Sequence, residues 1–172
     1  MSQTVGDMVR SLAVVLAFVA IILVITLRPQ PDPIKKVDVA PILSVARAQA
    51  EFPILIAGAG SSAYVPTSVR WEPTDATKPD PVWHIGYVTP EDQYVEISES
   101  ATASERFIPE QTGKGIPLDP VVIDGVTWQR FESEQRRSLV RVEPNLTTVV
   151  AGTLDWAGLQ SVAAGLSASA TA

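Results

Sequence analysis

Sixteen consecutive uncharged residues, Leu12 to Leu27 (LAVVLAFVAIILVITL), constrain this chain more than any other stretch. Twelve of them are Leu, Val, Ile or Phe, with Arg10 before the run and Arg28 after it. Near a bilayer centre such residues favour insertion by about 0.3 to 0.6 kcal/mol each, roughly 4 to 7 kcal/mol for the run. As a helix the run is ~24 Å long, so a hydrocarbon core of ~30 Å also draws in Met8 and Val9, with Arg10 snorkelling to the headgroups. The sequel TLRPQPDPI offers no Ala-x-Ala-like cleavage site, and the chain has no cysteine to carry a lipid anchor. The expectation is an uncleaved transmembrane signal-anchor helix over 11–27, after a short cytoplasmic tail, 1–10. Arg28, Lys35 and Lys36 outnumber Arg10 across the run. Taken alone, that charge count places the C-terminal part in the cytoplasm. A short N-terminal tail with a bulky C-terminal domain instead suits export. The expected address is the cell membrane, single-pass, with the C-terminal domain extracytoplasmic.

From Ile34 onward there are 11 Lys plus Arg against 17 Asp plus Glu, a net charge of −6. That balance argues against nucleic acid as a partner. The absence of cysteine removes disulfides, thiolate catalysis and zinc–thiolate sites together. The prolines of RPQPDP mark 28–36 as an extended spacer, leaving 37–167 as one α+β domain and 168–172 as a disordered tail.

Within the domain, the pattern predicts a helix from about Pro41 to Ala50, with Asp38 near its cap and Ile42, Val45 and Ala46 on one face. Val69 and Trp71 alternate with Ser68, Arg70 and Glu72 as in a strand, and a polar turn follows from Pro73 to Pro81. Val82 to Val88 reads as a buried strand and Tyr94 to Ile97 as its antiparallel neighbour across TPEDQ. Ala101 to about Ile108 reads as a helix stopped by Pro109. Val121 to Ile123 and Val126 to Phe131 flank the Asp124-Gly125 turn signal. Ser138 to Val142 and Leu146 to Ala151 form a further pair. A closing helix runs from about Asp155 to Leu166, with Trp156, Leu159, Val162, Ala163 and Leu166 facing the sheet. The fold class is therefore α+β: an N-terminal transmembrane helix, then an antiparallel sheet domain with helices packed on it.

Gly58, Gly60 and Ala63 fit G-x-G-x-x-A after the apolar Ile54-Leu55-Ile56, the outline of a dinucleotide fingerprint. The fingerprint requires a helix directly after the turn, whereas Pro66 and a strand-like pattern follow. No cofactor is therefore expected. His84 is the only histidine, so a metal site would need carboxylates from flanking turns, such as Asp75, Asp80, Glu91 and Asp92. Acid-rich turns are usually just solvated, and no metal is assigned. No strained nucleophile setting such as G-x-S-x-G is present, so no catalytic residue is assigned and the chain is not read as an enzyme. Alternation puts Trp83, Ile85 and Tyr87 on one face of their strand and His84, Gly86 and Val88 on the other. If two of the four tryptophans line an open sheet face, they mark a groove. The candidate ligand or partner groove is Trp83, His84 and Trp128.

At WHIGYVTPEDQYVEISES, DGVTWQRFES and LVRVEPNLTTVVAGTLDWAGLQSVAAGL the chain resembles the actinobacterial domain-of-unknown-function 4245 family. The shared signature is Trp83-His84-x-Gly86-Tyr87, Gly125-x-x-Trp128 and a Gly152 before the last helix. Tyr64 stands where many members carry Trp. The resemblance covers nearly the whole chain and implies one membrane helix, a proline-containing spacer and an outer domain, with no assigned activity. More distantly the chain is similar to the Mog1 and PsbP-like sandwich, which implies a curved antiparallel sheet with helices on its faces and a role in supporting other proteins. The first functional expectation is therefore a membrane-anchored interaction or accessory module with a protein partner in an envelope complex. The alternatives are a domain binding a lipid or other amphiphile in a cavity lined by tryptophans, and an enzyme using His84 with a nearby carboxylate.

Overall fold

The structure, a computed structural model, describes residues 5–26, 34–75, 80–101 and 106–168. The chain divides into two units, Met1–Pro33 and Ile34–Ala172. The first contains helix α1, Val5–Thr26. Among the described residues, however, no helix is long and apolar enough to cross a membrane. The expected signal anchor is corrected accordingly. With it go the N-terminal transmembrane helix of the fold class, the single-pass topology, the cell-membrane address, the membrane as a partner and the extracytoplasmic placement of the domain. The α+β domain is what stands. Residues 28–33 of the expected spacer lie outside the described residues, as do 1–4 of the N-terminal tail and 169–172 of the C-terminal tail.

Helix α2, Ala40–Gln49, begins where the Asp38 carboxylate accepts the Ala40 N–H at 3.1 Å and Pro41 supplies a preset φ without needing a partner for an N–H. It ends at Ala50, which turns to extended geometry, and Pro53 follows. Its inward face is Leu43 and Ala46, both buried. Ile42 is only partly buried and Val45 is exposed.

The sheet has seven antiparallel strands. They are β2 (Val65–Glu72), β3 (Val82–Val88), β4 (Tyr94–Ser100), β5 (Ile116–Ile123), β6 (Val126–Glu132), β7 (Arg137–Glu143) and β8 (Leu146–Gly152). Their spatial order is β2-β3-β4-β8-β7-β6-β5. A three-stranded meander (β2-β3-β4) and a four-stranded one (β5-β6-β7-β8) thus meet where β4 pairs with β8. Asp124 and Gly125 both have positive φ, at 48° and 81°. That is the type I′ geometry a two-residue hairpin turn requires, and it is why Asp-Gly occupies the β5–β6 link. β8 is buried along its whole length, as befits the strand at the junction.

Helix α3 is Phe107–Gln111, later than the expected helix at 101–108, whose residues 102–105 lie outside the described set. Pro109 does not stop this helix. It sits in the first turn, where its missing N–H costs nothing. Helix α4, Trp156–Ala164, starts at Asp155, whose Oδ1 accepts the Gly158 N–H at 2.7 Å; a side-chain cap of this kind stabilises a helix by about 1 kcal/mol.

One sheet face carries the main core. Trp83, Ile85, Val95, Ile97, Leu139 and Val150 pack there against Leu43, Ala46, Leu159 and Val162 of the helices. Segment 52–57 crosses this core with Phe52, Ile54 and Ile56 buried. It ends in β1 (Ile56–Ala57), which pairs with β9 (Leu166–Ser167). Ser167 is therefore tied down, and Arg47 Nη2 donates to the Ala168 carbonyl at 2.5 Å. The opposite face holds a smaller cluster of Phe107, Val140, Val149 and Ala151.

Candidate functional site

Trp83 and Trp128 are fully buried on the helix-covered face, at 0% and 1% exposure. His84 alternates to the other face. The three residues of the candidate groove therefore do not converge, and neither tryptophan presents an open surface. Of the remaining tryptophans, Trp71 donates its Nε1–H to Gln49 at 2.8 Å, and Trp156 lies beneath Arg130 and Arg137, 5.2 and 6.0 Å from its ring centroid.

His84 instead joins a polar relay along β3 and β4. Its Nδ1 lies 2.8 Å from Ser98 Oγ, which donates to Glu96 Oε1 at 2.9 Å. Glu96 Oε1 is also 3.5 Å from His84 Nδ1, and Tyr94 Oη donates to Glu96 Oε2 at 3.0 Å. Gly86 is what admits this cluster: a Cβ there would overlap the Tyr94 hydroxyl and Ser68 Oγ. Burial alone would raise the Glu96 pKa, but the hydrogen bonds from His84 and Ser98, the His84 charge and the Tyr94 hydrogen bond together bring it down to about 2. Tyr94 is shifted upward, mainly by burial. Because the Ser98 proton is committed to a carboxylate that stays ionised, Ser98 is not activated as a nucleophile by His84. The expected partner acids in the turns, Glu91 and Asp92, are not part of the relay. Glu96 and Ser98 were missed in the sequence, although their i, i+2 spacing on the strand paired with His84 carries the signal.

The relay makes a checkable contribution to stability. A carboxyl whose native pKa lies below its unfolded value stabilises the fold above pH ~4.5, and that stability is lost as pH falls toward 2. Urea unfolding of Glu96→Gln is expected to show a flatter acid limb than the parent over that window. Parallel acid limbs would mean that the relay contributes nothing.

The helix-covered face also buries a carboxyl. Glu99 is fully buried and accepts the Leu55 N–H at 2.7 Å and the Thr148 hydroxyl at 3.4 Å. Trp83 Nε1 donates to the Leu55 carbonyl at 3.1 Å. Both backbone polar groups of Leu55 are thus satisfied deep in the core, as burial requires. Arg141 lies across Thr148 from Glu99, with its guanidinium 5.2 Å from the Trp128 ring centroid. Burial outweighs the lowering effects of Leu55, Thr148 and Arg141 and raises the Glu99 pKa to about 8.

A cleft of about 650 Å³ opens at the entrance to α2. Its apolar wall is Leu43, Ile56, Ile85 and Tyr87, and Lys36, Asp38, Ser61 and Ser62 give it polar groups. Val37 N–H donates to the Pro66 carbonyl at 2.9 Å and holds one side in place. On the other side Ala59–Ser61 makes a 3-10 turn, followed by β2 and not by a helix. The glycine loop therefore cannot aim a helix N-terminus at a pyrophosphate. Gly58 serves a different need: a Cβ there would overlap the Gly165 carbonyl oxygen, so its absence lets the loop close against the end of α4. No tryptophan lines the cleft, contrary to the cavity expected for an amphiphile. Among the described residues, no group of three or more potential ligands is arranged to hold a metal ion.

The family described as "Protein of unknown function (DUF4245)" matches this chain over residues 1–166. The chain belongs to the DUF4245 family. The match takes in α1 and the sheet domain to the end of α4. Of the residues that carry the resemblance, Trp83 and Trp128 fill the core, Gly86 makes room for Tyr94, and Gly152 lets β8 approach β4. Among curated proteins nothing matches the chain.

Proposed function

We propose that the sheet domain is a binding module for a small, largely apolar ligand, held in the cleft between α2, the Gly58–Ser62 loop and β3. The observation that carries this reading is the cleft itself: about 650 Å³, walled by Leu43, Ile56, Ile85 and Tyr87 and carrying the polar Lys36, Asp38, Ser61 and Ser62. Ligand sites commonly have ~300–1,000 Å³, a mostly apolar lining and a few placed polar groups. Burying apolar ligand surface here contributes roughly 25 cal/mol per Å² before the costs of association. The cleft floor is sheet and helix, so it is largely pre-formed and little ordering is needed on binding.

The test uses 2-(dimethylamino)-6-propylnaphthalene, a fluorescent, largely apolar arylamine, titrated into the full chain. Saturable binding with one site per chain is expected. Ala40 is exposed and lines the cleft, so Ala40→Trp fills the opening without touching the core. It is expected to weaken binding at least tenfold with an unchanged unfolding midpoint. Equal affinity in Ala40→Trp, or no saturable binding to the parent chain, would remove the cleft as the site.

A further inference from the structure

The apolar wall of the cleft contains one hydroxyl. Tyr87 lies on β3 with its side chain 7% exposed and lines the cleft beside Ala57. Its Oη accepts the Ala57 N–H at 3.4 Å. Among the described residues no acceptor receives the Tyr87 hydroxyl proton. Burial raises this phenol to about 12, so it keeps its proton and remains a donor at neutral pH. The side-chain acceptors that line the cleft are Asp38, Ser61 and Ser62, and none of them is hydrogen-bonded to Tyr87.

We infer that the cleft selects ligands bearing a hydrogen-bond acceptor of the ketone or ester carbonyl type, received by the Tyr87 hydroxyl. This rests on the cleft being the ligand site. The physical reason is an asymmetry. In the open cleft, water can accept the Tyr87 proton. A purely hydrocarbon ligand displaces that water and leaves a buried donor bare, which is unfavourable. A carbonyl replaces the water and restores the bond. Tyr87 thus distinguishes ligands of the same shape by one polar atom, while Leu43, Ile56 and Ile85 accept either.

The experiment compares 2-(dimethylamino)-6-propionylnaphthalene with its 6-propyl analogue, which has nearly the same shape but lacks the carbonyl. The ratio of their affinities is measured for the parent chain and for Tyr87→Phe. The ketone preference is expected to fall roughly fivefold in Tyr87→Phe, the usual size of one net hydrogen bond. Emission of the bound ketone is expected to move to shorter wavelength as its carbonyl loses a donor. An unchanged ratio and unchanged emission would overturn the inference while leaving the cleft as the site. Failure of both probes to bind the parent chain would overturn the cleft reading and this inference with it. Because Tyr87→Phe also removes the acceptor for Ala57, a second measurement avoids the variant altogether. The infrared carbonyl band of the ketone bound to the parent chain is expected at the lower frequency of a hydrogen-bonded ketone. A band at its position in hexane contradicts the assignment.

Discussion

Gly152→Ala is expected to destabilise the sheet domain by about 3 kcal/mol or more, a large part of the ~5–15 kcal/mol typical of a folded domain. Gly152 ends β8, paired with Val95 of β4 on one side and Arg137 of β7 on the other. A Cβ at this position would overlap the Tyr94 carbonyl oxygen and press on Val95 Cα and the Tyr94 carbonyl carbon. These are backbone atoms with no rotamer to yield, so the two meanders must part at their junction. The Thr153 N–H bond to the Tyr94 carbonyl, 2.9 Å, lies at the same place and would be strained with it. Gly60→Ala is the control. Nothing lies within 4 Å of a Cβ there, and its effect is expected within about 0.5 kcal/mol. Urea unfolding of the two variants gives the comparison. Equal midpoints would mean that the β4–β8 junction yields more easily than its geometry implies.

The second large effect is electrostatic. Glu99 has a native pKa of about 8 because burial outweighs its hydrogen bonds from Leu55 and Thr148 and the nearby Arg141 charge. Below pH ~4.5 both the folded and the unfolded chain hold its proton, and it contributes no pH dependence. Between ~4.5 and 8 the folded chain keeps a proton that the unfolded chain has released. Stability therefore falls as pH rises through this window, by at most about 1.4 kcal/mol per unit, and levels off above it. Glu99→Gln keeps an acceptor for the Leu55 N–H and removes the ionisation. Its stability is expected to match the parent near pH 5 and to exceed it increasingly toward pH 8. The measurement is urea unfolding of both proteins at pH 5, 6.5 and 8. A difference that does not grow with pH would show that Glu99 is already ionised in the fold. Glu96 works in the opposite sense and at lower pH, so the two carboxyls separate cleanly along the pH axis.

Much of the sheet was legible in the sequence because its strands alternate and its turns use strong signals. β3 was read over the residues it occupies, and Asp124-Gly125 adopts the positive φ values that its hairpin needs. The edges were read short: β4 runs to Ser100 and β5 begins at Ile116. Glu99 and Ser100 look like surface residues, and the two prolines of β5 look like a loop. In fact Glu99 is buried because Leu55 needs an acceptor, a requirement set by a segment far away in the chain. The β5 prolines are tolerated because β5 is an edge strand with an irregular register between Leu118 and Val121. The tryptophans misled for a related reason. Period-two alternation correctly put Trp83 opposite His84, but nothing local says which face the helices cover. Once α2 and α4 cover the Trp83 face, the tryptophans become core and the polar relay is left on the other side. The cleft was not legible at all. Its walls come from 36–43, 56–62 and β3, brought together only by the paths of α2 and the Gly58 loop.

Amide chemical-shift mapping can locate a small apolar ligand held beside α2. The full chain, labelled with nitrogen-15, is titrated with the naphthyl ketone. Saturable shifts are expected, concentrated at residues 37–43, 56–62 and 85–87. Shifts centred instead on His84, Glu96 and Ser98, or scattered without saturation, would contradict that placement.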